Sequence, residues 1–591
     1  MERRSSATAA AFVVAASIFL SVTAIPPSAS VEYTFVVSQV NMTHLCNETL
    51  VTVVNGQLPG PAIEVTEGDS VTVHVVNKSP NNLTIHWHGV FQLLNCWNDG
   101  VPMITQRPIP PNHNFTYRFD VAGQEGTLWW HAHDAFLRAT LHGALIIRPR
   151  HASSYPFPKP HKEIPIVIGE WWQTDLALVD RNFTNGFYDE FSSGSTINGK
   201  LGDLFNCSGV AEDGYLLDVE PGKTYLLRII NAALFSEYFL KIAGHKFTVV
   251  AADANYVTPY TTDLIAIAPG ETLDALLVAD AAPGSGSYYM VAVPIQAPLP
   301  DTQTPEFTTR ATVQYTTTTT SSTPPAAAVA PEMPDQHDTI KSFYFHGNLT
   351  GLRRRRRAPP ARADEHLYVT LGLGSICRRG GVSCKRGDSP ESMVVANMNN
   401  VSFVVPAAAA APPLLEAHYY HHDRSAASDE VLGARPPREF NYTDGALTPF
   451  GPEEMRLEPT SRATTVRRFR HGAAVEVVFQ STAMLQGDSN PMHLHGHDMF
   501  VLAQGLGNYN ASRDVARYNL VNPPKKNTVL VPNLGWAAVR FVADNPGAWY
   551  IHCHFEFHLA MGMAAVFIVE DGPTVDTSLP PPPANFFNKQ P

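Results

Sequence analysis

A short stretch near the C-terminus combines the residue types that bind copper. Cys553 lies between His552 and His554, and His558 and Met563 follow the cysteine by five and ten residues. A trigonal His/Cys set with a weak axial Met is the ligand arrangement of a blue-copper electron-transfer centre. The sequence therefore predicts a type 1 copper site at Cys553, with the following loop folding back to the sulfur.

Strand geometry would connect this site to a second metal centre. Trp549, Tyr550 and Ile551 favour extended backbone, and successive side chains of a strand point to opposite faces. His552 and His554 would then share one face while Cys553 points to the other. The alternative is a buried strand with incidental histidines.

Three further His-X-His pairs favour the metal interpretation. The four pairs are His86/His88, His131/His133, His493/His495 and His552/His554. Each pair presents two imidazoles from one strand face, and neutral imidazole is a good copper ligand. Eight imidazoles suit a cluster of three coppers, which together with a thiolate copper supplies the four electrons that convert dioxygen to water.

An internal repeat indicates which elements position these pairs. Val71–Asn77 leads to the first pair as Val475–Phe479 leads to the third. Tyr117–Phe119 likewise precedes the second pair as Val539–Phe541 precedes the fourth. A middle unit has similar strands without histidine pairs, as at Thr224–Asn231. Such self-similarity indicates repeated domains, with ligands in the first and last.

Composition and repeats together predict an all-β chain. Charged residues are only 16% of the chain, Gly and Pro number 39 and 48, and short Thr/Val-rich runs are typical of β-sandwiches. We predict a signal peptide (1–30), a first domain with half of the cluster (31–150), a copper-free second domain (160–315), a linker (316–339), a third domain with the type 1 site and the other half (340–575), and a tail (576–591).

The N-terminus and the charge predict an exported protein. Arg3 and Arg4 precede the apolar run Ala9–Ala24, which is typical of a secretory signal peptide, and no later segment is long enough to span a membrane. The net charge of −12 argues against a nucleic-acid partner, and Arg353–Arg357 is interpreted as a solvated loop, with a basic binding patch as the alternative. We expect a monomer. Eleven glycosylation sequons agree with export: Asn41, Asn47, Asn77, Asn82, Asn114, Asn182, Asn206, Asn348, Asn400, Asn441 and Asn510.

These motifs resemble those of the multicopper oxidases, and within them the plant laccases, over essentially the whole mature chain. The matching segments are His86–Gly89, Trp97–Gly100, Trp129–His133, His493–Gly496 and His552–His558. The resemblance implies three cupredoxin-like Greek-key β-sandwich domains with a trinuclear cluster between the first and third.

The resemblance also implies the ligands of four copper ions. His86 and His493 would hold the type 2 copper. One type 3 copper would take His88, His131 and His554, and the other His133, His495 and His552. Cys553, His558 and an axial Met563 would hold the type 1 copper. Asp99 and Glu556 lie within the matching motifs and are candidates to relay protons.

Asn490 departs from the family pattern. It occupies the position where the family has the second type 1 histidine, in Ser489-Asn490-Pro491-Met492-His493. An amide oxygen is harder than imidazole and matches copper beside a thiolate less well. We therefore predict a weakened or altered type 1 site, with substitution by His497 as an alternative.

The remaining cysteines indicate disulfides, which exported proteins form. The resemblance implies Cys46–Cys207, and Cys377 and Cys384 are close enough for a local pair. Cys96 is left unpaired. Related laccases have one cysteine at the position of Arg107 and a partner cysteine in the C-terminal tail. This chain has neither, so a disulfide between the first and third domains is expected to be absent.

The leading functional prediction is an apoplastic laccase that oxidises phenols, such as lignin precursors, by one-electron steps while dioxygen is reduced to water. Met563 favours a second interpretation, an ascorbate-oxidase-like enzyme. Asn490 favours a third, a secreted copper-binding wall protein with impaired oxidase activity.

Overall fold

The computed structural model describes most of the chain between residues 28 and 586. The described residues are 28–584 and 586, without 151–154, 186–190, 282–285, 297–307, 317–326, 353–357, 378–391, 406–411, 421–428, 448–459 and 484–487. Most of the predicted signal peptide, about half of the predicted linker, the run Arg353–Arg357 and Cys384 thus lie outside the described residues.

The first unit, residues 30–148, forms two four-stranded sheets, ordered β2-β1-β4-β6 and β3-β8-β7-β5. Its strands are β1 (Ser30–His44), β2 (Asn47–Val54), β3 (Ile63–Thr66), β4 (Ser70–Asn77), β5 (Ile85–His88), β6 (Asn114–Asp120), β7 (Gly126–Ala132) and β8 (His142–Arg148). Short 3₁₀ helices cover Cys96–Asn98 and Ala135–Ala139.

The second unit, residues 162–315, contains a six-stranded sheet (β10-β9-β14-β19-β16-β17), a five-stranded sheet (β13-β21-β20-β15-β18) and the pair β11-β12. Its strands are β9 (Lys162–Trp171), β10 (Gly194–Ile197), β11 (Asn206–Cys207), β12 (Val210–Ala211), β13 (Leu216–Val219), β14 (Thr224–Asn231), β15 (Glu237–Ile242), β16 (Phe247–Ala252), β17 (Asn255–Thr262), β18 (Ile265–Ile267), β19 (Thr272–Val278), β20 (Ser287–Ile295) and β21 (Thr309–Tyr315). Helix α1 covers Leu176–Thr184, and α2 (Thr339–Gly347) follows the unit.

The third unit, residues 365–569, forms one continuous set of thirteen paired strands in the described residues. They are β22 (Glu365–Cys377), β23 (Ser392–Met398), β24 (Val401–Phe403), β25 (Asp429–Val431), β26 (Ser461–Phe469), β27 (Ala473–Ser481), β28 (Asn490–Leu494), β29 (Met499–Leu506), β30 (Lys525–Lys526), β31 (Thr528–Val531), β32 (Gly535–Ala543), β33 (Gly547–Cys553) and β34 (Ala564–Val569). Helices α3 (Leu414–Tyr420), α4 (Ala511–Asp514) and α5 (Glu556–Ala560) and the 3₁₀ helices Gly445–Leu447, Val515–Arg517 and Val575–Thr577 lie between or after them.

The first and third units share one hydrophobic core. Strand β4 has the alternation of a half-buried strand, with Val71, Val73 and Val75 facing inward, whereas β7 and β33 are buried along their whole length. A single cluster of buried hydrophobic residues includes β4 and β7 of the first unit and β27, β33 and β34 of the third. The two histidine-bearing units are therefore packed directly against each other.

The second unit has its own core. Phe345 of α2 and Leu349 also pack in that core, so the segment after the predicted linker returns to the second unit before the third begins. No helix in the described parts of the chain has the length and apolar character needed to cross a membrane.

The fold limits which sequons are open to glycosylation. Asn77 is fully buried, and its amide donates to the carbonyls of Asn81 and Ile109. This corrects the prediction for Asn77, because a glycan cannot be attached there in the folded chain. Asn182 and Asn400 are half-buried, and the remaining sequon asparagines are exposed.

Candidate metal centre

Strand pairing brings the eight predicted imidazoles to one place. In the antiparallel pair β5/β7 His86 lies opposite His131, and in β28/β33 His493 lies opposite His552. The two pairs of strands meet face to face, and their rings interleave. The ring centroids of His88 and His493 are 3.7 Å apart, and those of His86 and His495 are 4.0 Å apart. All eight rings are buried except His133, which is half-buried.

The ring nitrogens form three overlapping groups whose atoms lie within 4.8 Å of one another. The groups are His133/His495/His552, His86/His493/His495 and His86/His88/His131. The first is one of the implied type 3 sets, and the second contains the implied type 2 pair. His554 is in none of the groups, although its ring centroid is 4.9 Å from that of His88. Nη1 of Arg138 donates to His554 Nδ1 at 2.8 Å, so this nitrogen is the acceptor there.

Hydrogen bonds to backbone carbonyls aim the imidazole lone pairs inward. The Nδ1 atoms of His86, His131 and His493 donate to the carbonyls of Asp99, Ala132 and Asn527 at 2.8–2.9 Å. A carbonyl only accepts, so Nδ1 carries the proton and Nε2 keeps its lone pair. The buried Nε2 atoms of His86 and His493 have no hydrogen-bond partner in the described structure, which fits metal ligation.

The electrostatics also fit a cation rather than protonated histidines. Burial lowers the pKa of seven of these rings well below the usual value, and the repulsion that a protonated ring would meet from the other imidazoles or from Arg138 lowers it further. The seven are His88, His131, His133, His493, His495, His552 and His554. Neutral imidazoles packed this closely suit copper, and the donor set fits the implied cluster.

The predicted type 1 residues lie on the other side of β33. Cys553 Sγ is 3.4 Å from His558 Nδ1 and 3.9 Å from Asn490 Oδ1, and all three side chains are buried. Met563 is buried on the same loop, where its carbonyl accepts from the Cys553 amide at 3.1 Å. Burial raises the pKa of the Cys553 thiol and lowers that of His558 to about 3. The thiolate that copper needs would therefore form together with metal binding.

Asn490 occupies the place of the second type 1 imidazole. Its amide nitrogen lies 3.2 Å from the Asp488 carbonyl and 3.3 Å from Ser481 Oγ, which directs Oδ1 towards the sulfur. His497 does not take its place: Nδ1 of His497 faces the His495 carbonyl, and its ring packs against Phe541 and Trp549. Cys553 and His558 fit a type 1 copper, Met563 is buried next to them in the chain, and Asn490 offers only a hard oxygen.

Of the two candidate proton-relay residues, Asp99 contacts the histidines directly, whereas Glu556 contacts Arg138. Asp99 is fully buried, and its Oδ2 accepts from His495 Nδ1 at 2.9 Å. Gly100 allows this placement, because it has φ +82° and a Cβ there would be 1.9 Å from the Ile85 carbonyl oxygen. Glu556 is 3.3 Å from Arg138 Nη1, and burial raises its pKa to about 7 despite that cation.

Four residues that contact or support the cluster were not predicted. They are Arg138, Asp253, Asn527 and Thr528. His88 Nε2 donates to Asn527 Oδ1 at 3.1 Å and lies 3.0 Å from Thr528 Oγ1. Asp253 belongs to the second unit, which the sequence indicated only as copper-free. None of the four lies in a histidine motif, so no sequence signal marked them.

The cysteines follow the predicted pattern where the structure describes them. Cys46 and Cys207 form a disulfide with 5.1 Å between their Cα atoms, while Cys96 and Cys553 are free and buried. Cys377 is also disulfide-bonded, but Cys384 lies outside the described residues and their pairing remains a prediction. In place of a covalent clamp, Trp97 Nε1 donates to the Pro580 carbonyl at 2.9 Å.

Comparison with known proteins identifies the family. Models described as multicopper oxidase match residues 36–152, 162–318 and 432–573. The chain belongs to the multicopper oxidase family. It is 75% identical to Laccase-15 of Oryza sativa subsp. japonica over 96% of both chains, and 46% identical to Laccase-7 of Arabidopsis thaliana over 97% of this chain and 98% of the other.

Solved structures share the fold. The laccase of Botrytis aclada superposes with a TM-score of 0.72 at 24% identity, covering 95% of this chain and 92% of its own. Fet3p, a multicopper oxidase that functions in iron import, gives 0.70 at 21% identity over 95% and 94%. These similarities confirm the predicted all-β class with cupredoxin-like domains.

Proposed function

We propose that this protein is an extracellular plant laccase that removes single electrons from phenols and reduces dioxygen to water. The observation that carries the proposal is the convergence of eight buried imidazoles from the first and third units, connected to Cys553 through His552 and His554. High identity to plant laccases over almost the whole chain supports this specific activity.

Four copper ions would be held as the family resemblance implies. His86 and His493 would hold the type 2 copper, and the two type 3 sets would be His88/His131/His554 and His133/His495/His552. Cys553, His558 and Met563 would hold the type 1 copper, with Asn490 as an oxygen neighbour. When bound, copper supplies one-electron redox chemistry at the thiolate and multi-electron reduction of dioxygen at the cluster.

The chain's own residues would orient ligands and move protons. The Asp99 carboxylate holds His495 in one tautomer, and the carbonyls of Asp99 and Asn527 do the same for His86 and His493. Asp99, which accepts from His495 Nδ1, would be the nearer proton donor to the cluster, and Glu556, which lies 3.3 Å from Arg138 Nη1, would supply protons from further away. Cys553 is joined by one peptide bond to His552 and by another to His554. The backbone therefore gives a short covalent path from the sulfur to an imidazole in each direction.

Secretion, glycosylation and a monomeric state complete the proposal. The signal-like N-terminus and the exposed sequons support export to the apoplast, and the acidic surface is consistent with a small-molecule substrate rather than a nucleic acid.

The direct test combines copper analysis with oxygen uptake. The purified mature protein is expected to bind copper and to consume oxygen when a methoxyphenol is added. Cys553→Ser should retain copper in the imidazole cluster while losing the thiolate absorption and at least 100-fold in oxygen uptake. A copper-loaded wild-type protein that consumes no oxygen with any phenol would refute the laccase assignment. Oxidation of ascorbate in preference to phenols would support the ascorbate-oxidase alternative instead.

A further inference from the structure

A buried cluster of charged side chains lies between the second and third units, outside the copper motifs. We call it the interface charge cluster, and it consists of Asp253, Glu271, His346 and Lys526. The four side chains are at most 8% exposed. Lys526 Nζ contacts Glu271 Oε1 and lies 3.8 Å from Asp253 Oδ2. Charges buried to this degree persist only when they are paired and hydrogen-bonded.

The hydrogen bonds of His346 give the cluster two cations. His346 Nδ1 lies 2.9 Å from the Ser342 carbonyl, one turn earlier in α2, and Nε2 lies 2.9 Å from Glu271 Oε2. A carbonyl and a carboxylate both accept, so both ring nitrogens carry protons and the ring is charged. His346 and Lys526 thereby both pair with Glu271, which connects α2 through the second unit to the third.

The cluster ends at the backbone of the third unit. Asp253 Oδ2 accepts from the Thr528 amide at 3.1 Å, and Asp253 Oδ1 accepts from the Thr272 amide at 3.0 Å. Two acidic residues of the second unit thus hold both ends of the three-residue segment Lys526–Thr528: Glu271 pairs with the Lys526 side chain, and Asp253 accepts from the Thr528 amide.

The middle and the end of that segment face the copper histidines. The Asn527 carbonyl accepts from His493 Nδ1 at 2.9 Å, and Asn527 Oδ1 accepts from His88 Nε2 at 3.1 Å. Thr528 Oγ1 lies 3.1 Å from His493 Nδ1 and 3.0 Å from His88 Nε2. The rings of these two histidines stack on each other across the boundary between the first and third units.

We propose that Asp253 and Lys526 are positioning residues for the trinuclear copper cluster. They fix the segment Lys526–Thr528, which in turn fixes the ring orientations of His493 and His88. The copper-free second unit therefore takes part in building the metal centre. This inference rests on the proposed copper binding at those histidines. It assigns no chemical step to the interface charge cluster.

The test removes the opposed charges together and measures copper without substrate. In Lys526→Met/Glu271→Gln the segment loses its anchor at Lys526 and keeps the Asp253–Thr528 hydrogen bond, and neither partner of the deleted ion pair remains charged. We expect copper affinity at the histidine cluster to fall about 10–100-fold, as when groups that orient metal ligands are removed. The electron paramagnetic resonance spectrum of the type 2 copper, which His493 would hold, should also change. The thiolate absorption of Cys553 should remain. The single variant Lys526→Arg keeps the positive charge beside Glu271 and should have the copper affinity and the spectrum of the wild-type protein.

Two further variants separate positioning from general destabilisation. Thr528→Val removes the hydroxyl next to both rings with almost no change in volume, and it should alter the resonance spectrum even if the double variant does not fold. Glu476→Gln/Arg540→Met is the matched control, because this buried ion pair contacts Pro360 and Tyr518 instead. It should lower stability without changing the copper spectrum.

Unchanged copper affinity and an unchanged spectrum in both the Lys526 double variant and Thr528→Val would overturn the inference. Equal copper loss in the control variant would also overturn it. Since these measurements need no phenol, a failure of phenol oxidation would refute the proposed function while leaving this result intact.

Discussion

Asp99 Oδ2 accepts a hydrogen bond from His495 Nδ1 at 2.9 Å, so a carboxylate of the first unit orients an imidazole of the third. The same residue accepts from His86 through its carbonyl. One side chain and its own backbone therefore fix two rings that stack on each other across the boundary between the units.

Replacing Asp99 should separate its orienting role from a proton-relay role. Asp99→Ala leaves a buried Nδ1–H of His495 without an acceptor, and we expect a 10–100-fold loss of copper affinity, roughly the effect of removing such partners elsewhere. Asp99→Asn keeps an oxygen acceptor but cannot carry a proton in the same way. It should bind copper normally and reduce oxygen more slowly, as measured by copper content and oxygen uptake. Normal turnover in Asp99→Asn would exclude the relay role.

Asn490→His should strengthen the type 1 site. The amide oxygen lies 3.9 Å from Cys553 Sγ, and an imidazole at that position is a better match for copper beside a thiolate. We expect higher type 1 copper occupancy and a stronger visible thiolate band than in the wild-type protein. Asn490→Ala is the matched control and should weaken both. An already complete type 1 signal in the wild-type protein would contradict the predicted defect at Asn490.

His346 should make stability depend on pH. Burial opposes its charge, but Glu271 raises the pKa of His346 above the usual 6.5. Because the folded pKa is the higher one, the stabilisation is fully present below about pH 6.5 and is lost as the pH rises through the folded value. The charged groups facing the ring are Glu271, Glu237 and Lys526.

The measurement compares the free energy of unfolding of the wild-type protein with that of His346→Gln between pH 5 and 9. The stability difference should be largest at the acidic end and shrink as pH rises. A difference that stays constant across this range would show that His346 is not charged in the folded protein.

The Cys46–Cys207 disulfide should stabilise the contact between the first and second units. It joins residues 161 positions apart, and loss of a native disulfide costs about 2–5 kcal/mol. Cys46→Ala/Cys207→Ala should lower the unfolding free energy by that amount, measured with denaturant, while copper content stays unchanged.

The sequence predicted the histidine cluster because strand alternation is local. His552 and His554 share a face with Cys553 opposite, as a period of two requires, and the two end units meet as the repeated motifs indicated. The burial of Asn77 could not be predicted from the sequon, since it depends on the carbonyl of Ile109 across a turn. Arg138, Asp253 and Lys526 were missed because their roles depend on contacts between units far apart in the chain.

The chain order of the histidines has a consequence for biosynthesis. The first four ligands are made early, whereas His493, His495, His552 and His554 come from the last hundred residues, so a growing chain holds only half a binding site. Complete metal loading would then require that His554 has been synthesised and that the first and third units have met. For a secreted protein, copper would then be acquired after translocation, inside the secretory pathway or outside the cell.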